Sequence, residues 1–138
     1  MVREKLKAFI LRKKGLVSAP QTLGEHLRNR RLILGLKQED VASQLGTLRE
    51  VYDRWERDER QPVISEWPGI LRFLSLYPFP TKTPADLVLK VRRFRGYDQK
   101  TLASVLGVIH QRLRRWERGQ EPVPAGAERQ LEGLVAMS

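Results

Sequence analysis

The 138-residue chain contains no cysteine and only two histidines. Without thiols it can form no disulfide, no zinc–thiolate site and no thiol-based active site, and the two histidines do not stand at metal-ligand spacing. No apolar run approaches the roughly 18 residues that a membrane span requires. The short apolar stretch at residues 8–11 is followed at once by three basic residues, which is not the pattern of a signal peptide. These absences predict a soluble cytoplasmic protein that contacts no membrane.

Residue patterns typical of enzymes are also missing. The sequence has no glycine-rich phosphate loop and no nucleophile placed beside a base. The neighbouring acids Asp58 and Glu59 fall in a predicted solvated loop, where charge balance is a simpler explanation than acid–base catalysis. We therefore expect neither an enzyme nor a cofactor, metal or small-molecule ligand.

Positive charge is abundant and unevenly distributed. The net charge is +10; residues 1–20 contribute +5, residues 21–80 are neutral, and residues 81–138 contribute +5. A basic excess of this size favours a polyanionic partner, most often nucleic acid. The alternative is that the arginines only reflect a GC-rich genome.

A motif recurs in the chain at a constant offset of 61 residues. An ungapped repeat indicates one supersecondary unit present twice, and two copies are too few for a solenoid, so each must bury its own core. The residues that share the offset are Gln38 and Gln99, Ala42 and Ala103, Gly46 and Gly107, and Trp55 and Trp116. The predicted organisation is a basic N-terminal arm at 1–20, a first domain at 21–77, a Pro-rich linker at 78–82 and a second domain at 83–138.

Helix signals occur throughout the chain, and no strand pattern is present. Thr22 and Glu25 have capping-box spacing, while Thr83, Pro84 and Asp86 form a cap, a first-turn proline and a first-turn acid. The predicted fold class is all-α. Beyond the two opening helices, helices are predicted at 38–45 and 99–106, through Tyr52–Trp55 and Leu113–Trp116, and at 66–76 and 125–136.

The second and third helices of each copy have the pattern of a helix-turn-helix. A small residue, Ala42 or Ala103, stands where the two helices approach, and Gly46 or Gly107 stands where the turn favours positive φ. In this pattern the chain resembles the Cro and phage-repressor type of helix-turn-helix, also called the xenobiotic-response-element family. The matching residues are Arg31, Gly35, Leu36, Gln38, Val41, Ala42, Leu45, Gly46, Trp55, Glu56 and Pro62, and then Arg92, Gly96, Tyr97, Gln99, Leu102, Ala103, Leu106, Gly107, Trp116, Glu117, Arg118 and Gly119.

The resemblance implies two tandem lambda-repressor-like domains of four to five helices. In such a domain the third helix reads the DNA major groove with its N-terminal residues. It also implies partly buried ion pairs between Arg31 and Glu56 and between Arg92 and Glu117. The DNA-binding positions that it implies are Arg49, Glu50, Asp53 and Arg54 in the first copy, His110, Gln111, Arg112, Arg114 and Arg115 in the second, and Gln38 and Gln99 as backbone contacts that brace the third helix.

The two copies differ in the chemistry of the third helix. Arginine and glutamine suit guanine, adenine and phosphate, whereas Glu50 and Asp53 place acids where a polyanion should approach. Alternatively, Glu50 forms a capping box with Thr47. In the second copy Val108 and Ile109 replace the usual Ser/Thr cap, which predicts an uncapped helix. The three tryptophans are expected in the core, the alternative being stacking platforms for single-stranded bases.

These patterns predict a sequence-specific, double-stranded DNA-binding regulator of prokaryotic or phage type, repressor-like and nucleoid-associated, in which the second domain dominates. The main alternative is an antitoxin-like or co-regulator protein whose first domain docks a protein partner or a second copy of the chain. Non-specific binding through charge alone is a third possibility.

Overall fold

The computed structural model describes residues 15–136, and this part of the chain is helical and contains no strand. The predicted all-α class is therefore confirmed. Residues 1–14, which hold most of the predicted basic arm, lie outside the described residues. The eight α-helices of the described part are α1 (Leu23–Ile33), α2 (Gln38–Leu45), α3 (Arg49–Glu56), α4 (Trp67–Leu74), α5 (Pro84–Arg95), α6 (Gln99–Leu106), α7 (His110–Glu117) and α8 (Ala125–Ala136).

The chain divides into two compact units, unit 1 (Met1–Gln61) and unit 2 (Pro62–Ser138). Unit 1 contains α1 to α3, and unit 2 contains α4 to α8. The repeat placed the end of the first domain at residue 77, after the fourth helix. In the structure that helix belongs to unit 2, where it packs on α5.

The start of α1 has two caps. Thr22 Oγ1 accepts a hydrogen bond from the Glu25 amide (3.1 Å) and Glu25 Oε1 accepts one from the Thr22 amide (3.3 Å), so the predicted capping box is confirmed. Asp58 adds a second cap, because its carboxylate accepts from the Gly24 amide (2.9 Å) and from the Thr22 hydroxyl (2.6 Å). Asp58 reaches this position through a left-handed backbone, φ +56°. Asp58 lies in an exposed turn, as expected, and its carboxylate caps α1 as well as balancing charge.

The core of unit 1 lies where α3 crosses α1 and α2. Leu27, Val41, Tyr52 and Trp55 are buried there almost completely. Ala42 is buried at the same crossing, where its small side chain lets α2 and α3 approach closely. The turn after α2 passes through Gly46 with φ +69°, a conformation that costs glycine little.

The described end of the predicted arm is attached to α1. The buried Asn29 side chain accepts from the Val17 amide (2.8 Å) and donates to the Val17 carbonyl (2.6 Å). Arg28 Nε also donates to the Gly15 carbonyl (3.2 Å). These bonds satisfy the backbone of an irregular segment and fix where the chain joins α1.

Helix α5 is the centre of unit 2 and contacts α4, α7 and α8. It begins as predicted, with Thr83 as N-cap accepting from the Asp86 amide (3.2 Å) and Pro84 in the first turn. It ends at Gly96, φ +70°. Its buried side chains Val88 and Val91 pack in a core to which all the later helices contribute, together with Leu87, Leu102, Ala103, Leu106, Leu113, Trp116 and Leu131.

Helix α4 and the segment after it are held on α5 by apolar and cation–π contacts. The Arg93 guanidinium lies 4.4 Å from the Trp67 ring centroid and 4.7 Å from that of Phe79. Tyr77 stacks on Phe94 with ring centroids 5.6 Å apart. The left-handed Ser75, φ +59°, ends α4 two residues before the predicted end of this helix. The start of the predicted linker, residues 78–79, is therefore packed as part of unit 2.

Candidate functional site

In unit 1 a single buried carboxylate joins all three helices. Glu56, at the end of α3, accepts from Arg31 Nε (2.6 Å) and Nη2 (3.0 Å) of α1. Gln38 Nε2, at the start of α2, donates to the same carboxylate at 3.2 Å. The Glu56 side chain is 3% exposed. The predicted ion pair is confirmed, and it sets the position of α3 relative to α1 and α2.

Unit 2 repeats this arrangement with the equivalent residues. Arg92 Nη1 donates to both oxygens of Glu117 (2.9 and 3.0 Å), and Gln99 Nε2 donates to Glu117 Oε2 (3.0 Å). The side-chain amide oxygen of Gln99, Oε1, lies 3.2 Å from His110 Nε2. Gln99 therefore braces both ends of α7, and His110 is turned toward α6.

The outward face of α7 carries an array of cationic and amide side chains. Leu113 and Trp116 point into the core, which leaves the opposite face of the helix to solvent. That face borders a cleft of about 230 Å³. The cleft is lined by Gln111, Arg114, Arg115, Arg118 and Gln120.

Two of these five residues were missed by the sequence analysis. Arg118 follows Gln111, Arg114 and Arg115 at the spacing i, i+3, i+4, i+7, which is one helical face, so a longer projection of α7 would have found it. Gln120 lies after the helix, and only the folded turn brings it to the cleft. Among the described residues neither Arg114 nor Arg118 has a carboxylate partner.

The remaining predicted residue of α7, Arg112, lies at the edge of this face. Its Nε donates to Glu121 Oε2 at 2.9 Å. Arg115 Nε also approaches Glu121, at 3.4 Å from Oε1. Part of the positive charge of α7 is therefore balanced within unit 2.

The equivalent face of α3 is neutral and largely paired within itself. Asp53 accepts from Gln38 Nε2 (2.9 Å) and forms an ion pair with Arg57 (2.8 Å), which also contacts Glu59 (3.2 Å). The hydrogen bond from Gln38, followed by the charge of Arg57, lowers the pKa of Asp53, so this carboxylate stays charged at neutral pH. Glu50 and Arg54 are exposed on the same face.

A second cleft in unit 1 lies at the start of α2. It has a volume of about 460 Å³, and Arg49 lies on one side of it. Its other lining residues are Arg31, Leu36, Lys37, Gln38 and Glu39. Arg49 therefore lies at the edge of the neutral face of α3, where its charge acts on Asp53, and beside a group of mixed charge.

The N-termini of α3 and α7 are both without a side-chain cap. The N-cap residues are Leu48 and Ile109. The uncapped start predicted for the second copy is therefore confirmed. The alternative prediction of a capping box between Thr47 and Glu50 is wrong. The N-cap of α3 is Leu48, so Glu50 occupies the second helical position and not the third.

The three tryptophans belong to the core. Trp55 and Trp116 are 1% exposed and Trp67 is 3% exposed, so none of them offers a ring face to a base. The core prediction is confirmed for all three. His26 is half-buried on α1, and burial lowers its pKa.

Within residues 15–136 no group of three or more acidic or histidine side chains is arranged to hold a metal ion. In the same part of the chain, no helix combines the length and apolar character that crossing a membrane requires. Compared with protein-family profiles, with curated proteins and with solved structures, the chain shows no match. Its function is therefore inferred from the side chains on α3 and α7.

Proposed function

We propose that this protein binds double-stranded DNA in a sequence-specific manner and acts as a repressor-like transcription regulator at the nucleoid, not as an enzyme. In this proposal α2–α3 and α6–α7 are two tandem helix-turn-helix motifs of the lambda-repressor-like kind, and unit 2 supplies most of the affinity. The observation that carries the proposal is the outward face of α7, where three arginines and two glutamines border one cleft.

The chemistry of this face suits a duplex. Arginine can form a bidentate pair with guanine and glutamine with adenine, while additional arginines neutralise phosphates. Arg114 and Arg118 are available for such contacts because no carboxylate in the described residues is paired with them. The tie of Glu117 to Arg92 and Gln99 would hold α7 rigidly enough for base reading.

Unit 1 is proposed to have the weaker role on DNA. Its outward face carries Glu50 and Asp53 beside Arg54 and Arg57, so its charges cancel, and Asp53 is engaged by Gln38 and Arg57. A neutral face of this kind gains little from phosphates. It favours a second candidate function for unit 1, docking of a protein partner or of a second copy of the chain, while unit 2 binds DNA.

A matched pair of double variants tests whether unit 2 supplies most of the affinity for DNA. Arg114→Ala with Arg118→Ala removes the two unpaired arginines of the α7 face, and Arg54→Ala with Arg57→Ala removes the two arginines of the equivalent face of α3. Duplex affinity is measured for the full chain over a series of salt concentrations. Each phosphate contact contributes about 0.9 to the slope of log affinity against log salt.

The α7 variant is expected to lose up to about 1.8 from that slope, which corresponds to two phosphates. The α3 variant is expected to change the slope much less, because Arg57 is already paired with Asp53 and Glu59. Equal changes in both variants would contradict the proposed dominance of unit 2. No measurable duplex binding by the unaltered chain would contradict the function itself.

A further inference from the structure

The Glu121 carboxylate, which follows the end of α7, accepts hydrogen bonds from three side chains of that helix. Glu121 Oε2 accepts from Arg112 Nε (2.9 Å) and from the Trp116 indole Nε1 (2.9 Å), and Glu121 Oε1 accepts from Arg115 Nε (3.4 Å). The Arg112 guanidinium also lies over the Trp116 ring, 5.2 Å from its centroid. These four residues, Arg112, Arg115, Trp116 and Glu121, are called the Glu121 clamp.

Unit 1 keeps two of the four clamp residues, as Arg54 and Trp55, and lacks the other two. The residues 61 positions earlier than Arg112 and Glu121 are Val51 and Arg60. Trp55, the equivalent of Trp116, has a buried indole Nε1 without a hydrogen-bond partner in the described part of the chain. Because α1 to α3 form the same arrangement without a clamp, this helical arrangement does not require one. The clamp instead affects the exposed arginine side chains of α7.

The contacts of the clamp fix the two arginines without covering them. Each arginine uses its Nε toward Glu121, which leaves its terminal Nη groups available to another acceptor. Both side chains are exposed, and Arg115 borders the cleft on α7. An arginine held in one orientation loses less conformational entropy on binding and contacts one acceptor geometry better than others.

The same carboxylate also opposes a polyanion. The hydrogen bond from Arg112, then the one from Trp116, lowers the pKa of Glu121, so it is charged at neutral pH. A negative charge beside phosphates weakens binding to every duplex, whatever its sequence. Fixed arginines, in contrast, favour those duplexes whose acceptors match their orientation.

We propose that Glu121 is a positioning residue of the DNA-binding surface: it orients Arg112 and Arg115 and lowers affinity for DNA of arbitrary sequence, and so increases sequence discrimination. The inference rests on the proposed function, because it assigns a role to a residue near α7 that would contact no base itself. Its measurable consequence is the ratio of affinity for a preferred duplex to affinity for a random duplex.

The test compares Glu121→Gln with Glu132→Gln in the full chain. Glu132 is exposed on α8 in the same unit, so its variant makes the same charge change away from the clamp. Both affinities are measured at physiological ionic strength, the preferred duplex being one selected by the unaltered chain. Thermal unfolding of each variant checks that unit 2 remains folded.

Glu121→Gln is expected to bind random duplex about fivefold more tightly, since one nearby negative charge is lost. It is also expected to lower the affinity ratio about fivefold or more, since one oriented arginine contact is worth at least that much discrimination. Glu132→Gln should leave the ratio unchanged. If Glu121→Gln binds both duplexes more tightly or more weakly but keeps the same affinity ratio, the positioning role is overturned. The proposed function would then remain intact.

Glu121→Asp provides a second test if the glutamine variant unfolds. Aspartate keeps the charge but shortens the reach to the arginines, so the affinity ratio should fall without tighter binding to random duplex. An unchanged ratio in this variant would also overturn the inference. If the unaltered chain shows no preference among duplexes, the inference and the proposed function both fail.

Discussion

Replacing Arg31 with methionine is expected to destabilise unit 1 mainly through the charge left on Glu56. Two of the three hydrogen bonds to that carboxylate come from Arg31, so the variant leaves it to Gln38 and the neighbouring Tyr52 hydroxyl, neither of which carries a positive charge. With a side chain 3% exposed, Glu56 has almost no access to water. Removing one partner of a buried pair in this way typically costs about 3–5 kcal/mol.

A unit of this size has a total stability of about 3–9 kcal/mol. A loss of about 3–5 kcal/mol would therefore leave much of unit 1 unfolded.

Native-state hydrogen exchange of the full chain measures this loss, since amides of α3 and α7 report the opening of units 1 and 2 separately. The control is Arg31→Met combined with Glu56→Leu, which removes both charges and should recover most of the stability. A loss below about 1 kcal/mol, or no recovery of stability in the double variant, would refute the reasoning that charge burial dominates.

Three further predictions concern DNA binding by the full chain. Gln111→Ala should relax base preference at one or two positions of a selected site, with little change in affinity for random duplex, because a bidentate amide contact discriminates by about 1–3 kcal/mol; uniform weakening on all sequences would contradict base reading. Deleting residues 1–14, which hold six Lys/Arg and one acid, should lower the salt slope without changing the preferred sequence; an unchanged slope would show that this segment does not touch DNA. Glu50→Gln with Asp53→Gln should tighten duplex binding by removing repulsion and freeing Arg57, with an unchanged mass in solution, whereas loss of self-association would assign the acids to an interface.

Much of the helical structure could be predicted because its causes are local. Each capping box, at Thr22 and at Thr83, is formed by residues that lie within four consecutive positions of the sequence. The left-handed turns after α2 and α6 favour glycine, which stands at positions 46 and 107. The ion pairs were implied by the family resemblance, whose motif residues stand at the same positions in both copies. Such signals depend on sequence neighbours and on the repeat, not on tertiary packing.

These signals could not predict which of the two units α4 belongs to. Its buried face, with Trp67 and Phe73 among the residues, is apolar enough to close either unit. The position of Arg93 on α5, over the rings of both Trp67 and Phe79, shows that α4 joins unit 2. Packing between residues 26 apart in sequence leaves no periodic pattern to detect.

The Asp58 cap on α1 and the Glu121 clamp on α7 show a similar limit. Asp58 caps α1 across 34 residues, and its equivalent in unit 2 is Gly119, which has the same left-handed backbone but no side chain. Gly24 leaves room for this cap, because a Cβ there would overlap the Glu56 carbonyl and the Asp58 carboxylate. The Glu121 clamp was missed for the same reason, since Glu121 contacts α7 only after the chain has turned at Gly119.

Selection of bound sequences from a random pool of duplex DNA by the full chain tests the central claim most directly. The arrangement of Gln111, Arg114, Arg115 and Arg118 on α7 predicts enrichment of one half-site, with a weaker neighbouring preference if unit 1 also reads bases. The same selection with Arg114→Ala and Arg118→Ala should lose the principal half-site. A pool that emerges unenriched, or an enriched site that survives this double variant unchanged, would contradict the account.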